Sequence, residues 1–208
     1  MKPRIHGLYA IADSTYLAAD GFGAAVRAAL AGGAWVVQYR DKKNDAPTRE
    51  RIARELNALC AERGAPFLIN DDAALAAAVG ASGVHLGRDD PGIAKARAVL
   101  GPDTIIGVSC YNQLDRARAA QAAGADYVAF GRFFPSRTKP QAVPATLELL
   151  RTACAELTIP IVAIGGITPE NGGSLVEAGA DALAVVEGVF GQPDIRTAAA
   201  RYAALFSA

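Results

Sequence analysis

An excess of charge of one sign is missing from this chain: 21 Lys and Arg residues are matched by 21 Asp and Glu residues. Such a balance leaves no general nucleic-acid-binding surface, and no nucleic-acid partner is expected. Long apolar runs are missing as well. None approaches the roughly 18 residues that cross a bilayer, so no membrane partner is expected. Cysteine is scarce, and Cys60, Cys110 and Cys154 lie too far apart for a metal-ligand spacing. Their odd number, with Met1 to His6 entering an apolar strand directly and no leader pattern, suggests reduced thiols and a cytoplasmic location. Cys60 and Cys154 sit in apolar helical stretches and read as core filler. There is no P-loop, no dinucleotide fingerprint after the first strand and no Ser/His/Asp or Cys/His arrangement, which argues against nucleophilic catalysis.

What is present is hydrophobic, 51% of 208 residues, and it is periodic. That is enough for one domain over 1–208 with a substantial core. Apolar strands are expected near 7–13, 35–39, 66–70, 83–87, 104–109, 127–131, 160–165 and 182–187. They are continuous apolar runs rather than alternations, as in parallel sheets covered on both faces. Helical stretches follow them. Over 48–63, Ile52, Leu56 and Leu59 share one face while Arg49, Glu50, Arg54 and Glu62 fall away from it. A quasi-repeat joins helix to strand: Ala31-Gly32-Gly33-Ala34, Val79-Gly80-Ala81-Ser82-Gly83, Ala123-Gly124-Ala125-Asp126 and Ala178-Gly179-Ala180-Asp181. Its glycine suits a left-handed helix C-terminus. Strict strand–helix alternation with eight strands indicates an α/β (β/α)8 TIM barrel rather than an open doubly wound sheet. Only 132–143, with Pro135 and Pro140, reads as a longer loop.

The strands end in polar clusters, and parallel barrels keep their chemistry at those ends. Asp71 and Asp90 follow strands three and four. Two carboxylates among oxygen donors suit Mg²⁺, although both could equally cap the next helices, with Asp72 and Asp89 as rivals. Arg40, Lys42 and Lys139 converge on the same rim. Three cations beside two carboxylates describe a diphosphate site rather than solvated loop charges. Ser136-Arg137-Thr138-Lys139 could fold over an anion, or be an exposed loop. Gly165-Gly166 stands where barrels bind phosphate, yet tight turns need glycine too. Gln38 and Asn70 could read a heterocycle edge through paired donors and acceptors. His85 reads as a hydrogen-bonded barrel residue and His6 as surface. The residues alone point to a Mg²⁺-diphosphate substrate on one side, a phosphate-bearing partner on the other, and their joining by loss of pyrophosphate.

The motifs Gln-Tyr-Arg-Asp-Lys (38–42), Ile-Asn-Asp-Asp (69–72), Val-His-Leu-Gly-Arg-Asp-Asp (84–90), Gly-Val-Ser (107–109), Phe-Gly-Arg-Phe-Phe-Pro-Ser-Arg-Thr-Lys-Pro (130–140) and Val-Ala-Ile-Gly-Gly-Ile (162–167) together resemble the thiamine-phosphate synthase family. The match runs in order from about residue 7 to 191. This resemblance implies a Mg²⁺-dependent transferase that condenses hydroxymethylpyrimidine diphosphate with hydroxyethylthiazole phosphate or its carboxylated form. The route would be dissociative and carbocation-like. Carried over by position, Gln38, Arg40, Lys42, Asn70, Ser109 and Lys139 would hold the pyrimidine diphosphate, with Tyr39 and Asp41 from the same motif. Lys42, Ser109 and Lys139 would be catalytic. Asp71 and Asp90 would hold Mg²⁺. Ser136, Arg137, Thr138, Gly166, Val186 and Glu187 would line the thiazole-phosphate side. The partners implied are the two small molecules, with a possible homo-oligomer. Three positions depart from the family pattern: Glu187 where Ser is common, Arg88-Asp89-Asp90 where Gln-Glu-Asp is usual, and Tyr111 where His is frequent. A related barrel, the thiazole tautomerase, uses a histidine at that last position, so Tyr111 favours the synthase. A non-catalytic barrel that binds thiamine phosphates is the remaining alternative.

Overall fold

The computed structural model describes residues 2–87, 92–135 and 143–207. The strands are β1 (Gly7–Asp13), β2 (Ala34–Arg40), β3 (Phe67–Asn70), β4 (Gly83–Leu86), β5 (Ile105–Tyr111), β6 (Tyr127–Gly131), β7 (Ile161–Ile164) and β8 (Ala182–Val185). Between and after them run the helices α1 (Phe22–Ala31), α2 (Ala46–Ala61), α3 (Ala73–Val79), α4 (Ile93–Leu100), α5 (Leu114–Ala122), α6 (Leu147–Glu156), α7 (Gly173–Glu177), α8 (Glu187–Phe190) and α9 (Ile195–Ala203). All eight strands are parallel and consecutive, and β8 pairs back on β1 to close the barrel. The TIM-barrel expectation is thus met.

Strand parity organises the interior. Successive side chains point to opposite faces, so each strand supplies one set to the barrel lumen and one to the helices. Tyr9, Ile11, Val36, Leu68, Ile105, Tyr127, Ala129, Val162, Ala182 and Ala184 pack together inside the barrel. The other parity, including Leu8, Ala10, Val37, Ile69, Val84, Ile106, Val128 and Leu183, packs against the helices. Both faces of the strands are therefore buried, which is why the strands read as unbroken apolar runs.

The joints explain the quasi-repeat. Gly33, Gly80, Gly124 and Gly179 all have positive φ, and Gly80 is the left-handed C-cap of α3. The following polar residue then reaches back to a strand. Asp126 accepts from the Ile106 amide at 2.8 Å, and Asp181 accepts from the Ile161 amide at 2.9 Å. Ser82 does the same for the Phe67 amide at 3.1 Å. Lys2 and Arg97 neutralise Asp126, and Arg4 neutralises Asp181. Helix α2 begins at Ala46, earlier than its apolar stripe suggests, because Asp45 caps the Thr48 amide and a proline occupies the first turn. Ile52, Leu56 and Leu59 are its buried face. Strand β5 runs past Ser109 to Tyr111, with a register shift between them and φ of 58° at Tyr111.

Gly107 has a particular task. It faces inward on β5, and a Cβ there would lie 1.9 Å from the Tyr127 ring. The missing side chain is what lets the Tyr127 ring cross the lumen. Gly107→Ala should therefore destabilise the fold by about 1–3 kcal/mol through overpacking. Gly173→Ala meets nothing within 4 Å and should be neutral or slightly stabilising. Urea denaturation of the two variants checks this, and equal midpoints would contradict the packing argument.

Candidate active site

Inward parity continues upward from the packed lumen into polar residues. Above the apolar layers lies a cavity of about 510 Å³. Its wall takes Asp13 from β1, Gln38 and Arg40 from β2, Asn70 from β3, His85 from β4, Ser109 and Tyr111 from β5, and Gly131 and Arg132 at the end of β6. Gly165, Gly166 and Thr168 follow β7, and Val186, Glu187 and Gly188 follow β8. Ile11, Ala129, Val162, Ile164 and Ala184 supply the apolar part of the lining. Every strand thus contributes at its C-terminal end.

A row of hydrogen bonds crosses the cavity floor. Gln38 Nε2 donates to the Tyr9 hydroxyl at 2.7 Å, and the Tyr9 and Tyr127 hydroxyls are 2.8 Å apart. His85 Nδ1 lies 2.8 Å from the Tyr127 hydroxyl, and His85 Nε2 lies 2.8 Å from Ser109 Oγ. The His85 and Tyr127 rings are stacked at 5.6 Å. Burial pushes both phenols to higher pKa, for Tyr127 with help from neighbouring Tyr9, so both stay protonated. His85 is the hydrogen-bonded barrel residue expected of it.

On the β1 side, Arg40 Nη1 donates to Asp13 Oδ2 at 2.5 Å, and Asp13 is fully buried. Asp13 Oδ1 accepts from the Thr15 amide at 2.7 Å. This pair sets the guanidinium against the cavity wall. On the rim outside the wall, Lys42 Nζ donates to Asp71 Oδ2 at 2.8 Å. Asp71 has φ of 67°, a left-handed backbone uncommon for a residue with a side chain. Its neighbour Asp72 caps α3 through the Leu75 amide and pairs with Arg49. Of these two aspartates Asp72 is the helix cap, while Asp71 pairs with Lys42.

The side chains of two expected site residues lie away from the cavity wall. Tyr39 is 2% exposed and packs edge-on against Phe22, on the helix side of β2. Asp41 accepts from the Tyr39 hydroxyl, the Lys43 and Asn44 amides and Asn44 Nδ2. Burial alone would raise the Asp41 pKa, but those hydrogen bonds outweigh it and hold the carboxyl well below the usual range. Strand parity is the reason: Gln38 and Arg40 point inward, so Tyr39 points outward, and Asp41 then closes the turn beneath it. Neither lines the cavity. Asp90, Ser136, Arg137, Thr138 and Lys139 lie outside the described residues.

The Gly165-Gly166 turn is sterically required as well as well placed. Their φ values are 102° and 65°, and a Cβ on Gly166 would lie 2.2 Å from the Pro135 carbonyl. Glu187 opens α8 and lines the cavity, as do Gly166 and Val186. Residues missed from the sequence are Tyr9, Asp13, Tyr127, Thr168 and Gln192. Period-two counting along β1 would have found two of them, since Tyr9, Ile11 and Asp13 share one face.

Among the described residues, no group of three or more His, Cys, Asp or Glu side chains could hold a metal ion. No described helix is long and apolar enough to cross a membrane.

A closed parallel barrel with amides, hydroxyls and guanidinium groups gathered at its strand ends is the class of barrel enzyme that works on small polar molecules. The thiamine monophosphate synthase family model matches residues 8–189. The chain is 56% identical over 202 residues to the thiamine-phosphate synthase of Nitrosococcus oceani, covering 97% of this chain and 93% of that one. It is 54% identical to that of Chromobacterium violaceum, with both chains fully covered. Its backbone superposes on the thiamine phosphate pyrophosphorylase of Pyrococcus furiosus with a TM-score of 0.87 at 36% identity, covering 96% and 94% of the two chains. The chain belongs to the thiamine monophosphate synthase family, and is by that membership an enzyme of the transferase class.

Removing Arg40 leaves the Asp13 carboxylate buried without its cation. Arg40→Met should destabilise by about 2–4 kcal/mol, somewhat under the loss for a wholly buried pair. Arg40→Met with Asp13→Asn should recover at least half of that. Denaturant titration decides it, and a double variant no more stable than the single one would contradict the pairing.

Proposed function

We propose that this enzyme joins 4-amino-5-hydroxymethyl-2-methylpyrimidine diphosphate to hydroxyethylthiazole phosphate, or its carboxylated form, to give thiamine phosphate and pyrophosphate. Besides family membership, the reading is carried by one observation. Gln38, Arg40, Asn70 and Ser109 face Gly166, Val186 and Glu187 across a single cavity. One wall offers amides and a hydroxyl for a heterocycle, beside a guanidinium for an anion. The other offers the backbone after β7 and β8, where barrels bind phosphate.

With hydroxyethylthiazole phosphate the chemistry balances without a proton transfer; the carboxylated form must in addition lose CO2, its ring carbon taking a proton from solvent. The C–O bond between the pyrimidine methylene and the diphosphate breaks, and the electron pair leaves with the diphosphate. The thiazole nitrogen lone pair closes on the methylene carbon, and the positive charge remains in the thiazolium ring. Arg40, Lys42 and Lys139 would meet the growing negative charge on the leaving group. Gln38, Asn70 and Ser109 would hold the pyrimidine edge. Ile11, Val162, Ile164 and Ala184 in the lining would keep water from the cationic carbon. Ser136, Arg137 and Thr138 would bind the thiazole phosphate.

Asp71 and Asp90 would hold Mg²⁺, which when bound supplies positive charge to the diphosphate oxygens. The Asp71 donor set fits a hard ion, since it offers carboxylate oxygens beside the Asn70 amide. Its carboxylate already holds one cation, the Lys42 ammonium. On this reading the protein is cytoplasmic, its partners are the two small molecules, and it takes neither nucleic acid nor membrane; a homo-oligomer is compatible with it.

The test is pyrophosphate release from purified protein with both substrates and Mg²⁺, with single omissions and an EDTA control. Release should require all three and match thiamine phosphate mole for mole. Asp71→Ala should lower kcat by about a hundredfold or more, the usual effect of losing one charge-stabilising group. Full turnover in EDTA would sink the metal assignment, and no release at all would sink the reaction.

A further inference from the structure

Five groups on the cavity floor are joined in a row: Gln38, Tyr9, Tyr127, His85, Ser109. All five border the cavity, with Gln38 and Ser109 at the two ends of the row. Each phenol owns a single proton, and both phenols are buried, Tyr9 at 1% and Tyr127 at 0% exposure. With the Gln38 amide nitrogen turned to Tyr9, proton counting gives the row one direction. Gln38 Nε2 donates to Tyr9, so the Tyr9 proton must go to Tyr127. The Tyr127 proton must go to His85 Nδ1, which is therefore bare. His85 carries its proton on Nε2 and donates it to Ser109 Oγ. The Ser109 proton is left for the cavity, while Gln38 offers its Oε1 acceptor. Reversing any one member sets two hydrogens, or two lone pairs, against each other in a buried contact, and an unmade buried hydrogen bond is costly.

We infer that Tyr9, Tyr127 and His85 are positioning residues that lock Gln38 as an acceptor and Ser109 as a donor, so that the cavity selects a heterocycle edge carrying one N–H donor and one ring-nitrogen acceptor. An aminopyrimidine has that edge. The corresponding oxopyrimidine presents the inverse, a carbonyl acceptor and a ring N–H. It fits only if all five groups invert together, so the row converts two separate contacts into one reading of ligand polarity. This inference rests on the proposed reaction only for the identity of the ligand. The tautomer of His85 follows from the orientation of the Gln38 amide, without reference to the ligand.

Two measurements test it. The chain has two histidines, so in His6→Gln the ring-nitrogen NMR shifts belong to His85. At neutral pH they should report a protonated Nε2 and a bare Nδ1. Tyr127→Phe should shift His85 to a mixture of tautomers. A proton on Nδ1 in the otherwise unaltered protein, or a tautomer untouched by Tyr127→Phe, would overturn the relay. Next, kcat/KM is compared for the 4-amino and 4-oxo pyrimidine diphosphates. The unaltered enzyme should prefer the amino form by about a hundredfold or more, as sites built on paired hydrogen bonds do. Tyr127→Phe should reduce that preference by about tenfold, the weight of one such hydrogen bond. If Tyr127→Phe fails to fold, Tyr9→Phe releases the Gln38 end and serves for the same comparison. An unchanged preference in a folded variant would refute selection by the row. No pyrophosphate from either compound would fault the reaction reading, and the tautomer measurement would still decide the relay.

Discussion

The hydrogen bond between the Tyr9 and Tyr127 hydroxyls, 2.8 Å across the lumen, is the contact on which the cavity depends. Below it the barrel is filled with aliphatic side chains and above it the cavity opens. The two rings come from β1 and β6, on opposite sides of a closed sheet. They meet only because Gly107 on β5 leaves the space that the Tyr127 ring enters. Once they meet, each buried hydroxyl needs a second partner, and those partners are Gln38 and His85. The floor is therefore both the end of the hydrophobic core and the beginning of the polar site.

Charge is arranged with the same economy. The Asp13 carboxylate is wholly buried and carries the Arg40 guanidinium, so one cation is held against the wall before any ligand arrives. Asp71 holds Lys42 on the rim in a backbone conformation that side-chain-bearing residues seldom adopt. Such preorganisation matters where charge develops during a reaction, because the groups need not reorient at that moment. Asp41 and Asp72, which look identical to these in sequence, hold turns and helix starts together instead.

Parity is what separated readable residues from unreadable ones. The motif at 38–42 announces polar groups at a strand end, and its Gln38 and Arg40 do line the cavity. Within that motif the text of the sequence treats Tyr39 and Asp41 as equals of Gln38. Only the direction of each side chain from the strand turns them away from the cavity wall. Conversely, Tyr9 and Tyr127 are embedded in apolar runs and carry no local sign of a site. Their significance lies in a contact across 118 positions of sequence.

The sequence by itself determined the class of fold, because eight apolar runs separated by amphipathic segments and glycine joints can bury their surface only with both sheet faces covered. It also determined the family, through motifs spread along nearly the whole chain. The tertiary structure decided which members of each polar cluster face inward, which aspartate caps a helix and which stands at the rim, and that a row of five side chains joins Gln38 to Ser109. Those facts depend on barrel closure, which brings distant strands within hydrogen-bonding reach. The local chain carries no record of which neighbour lies across the lumen.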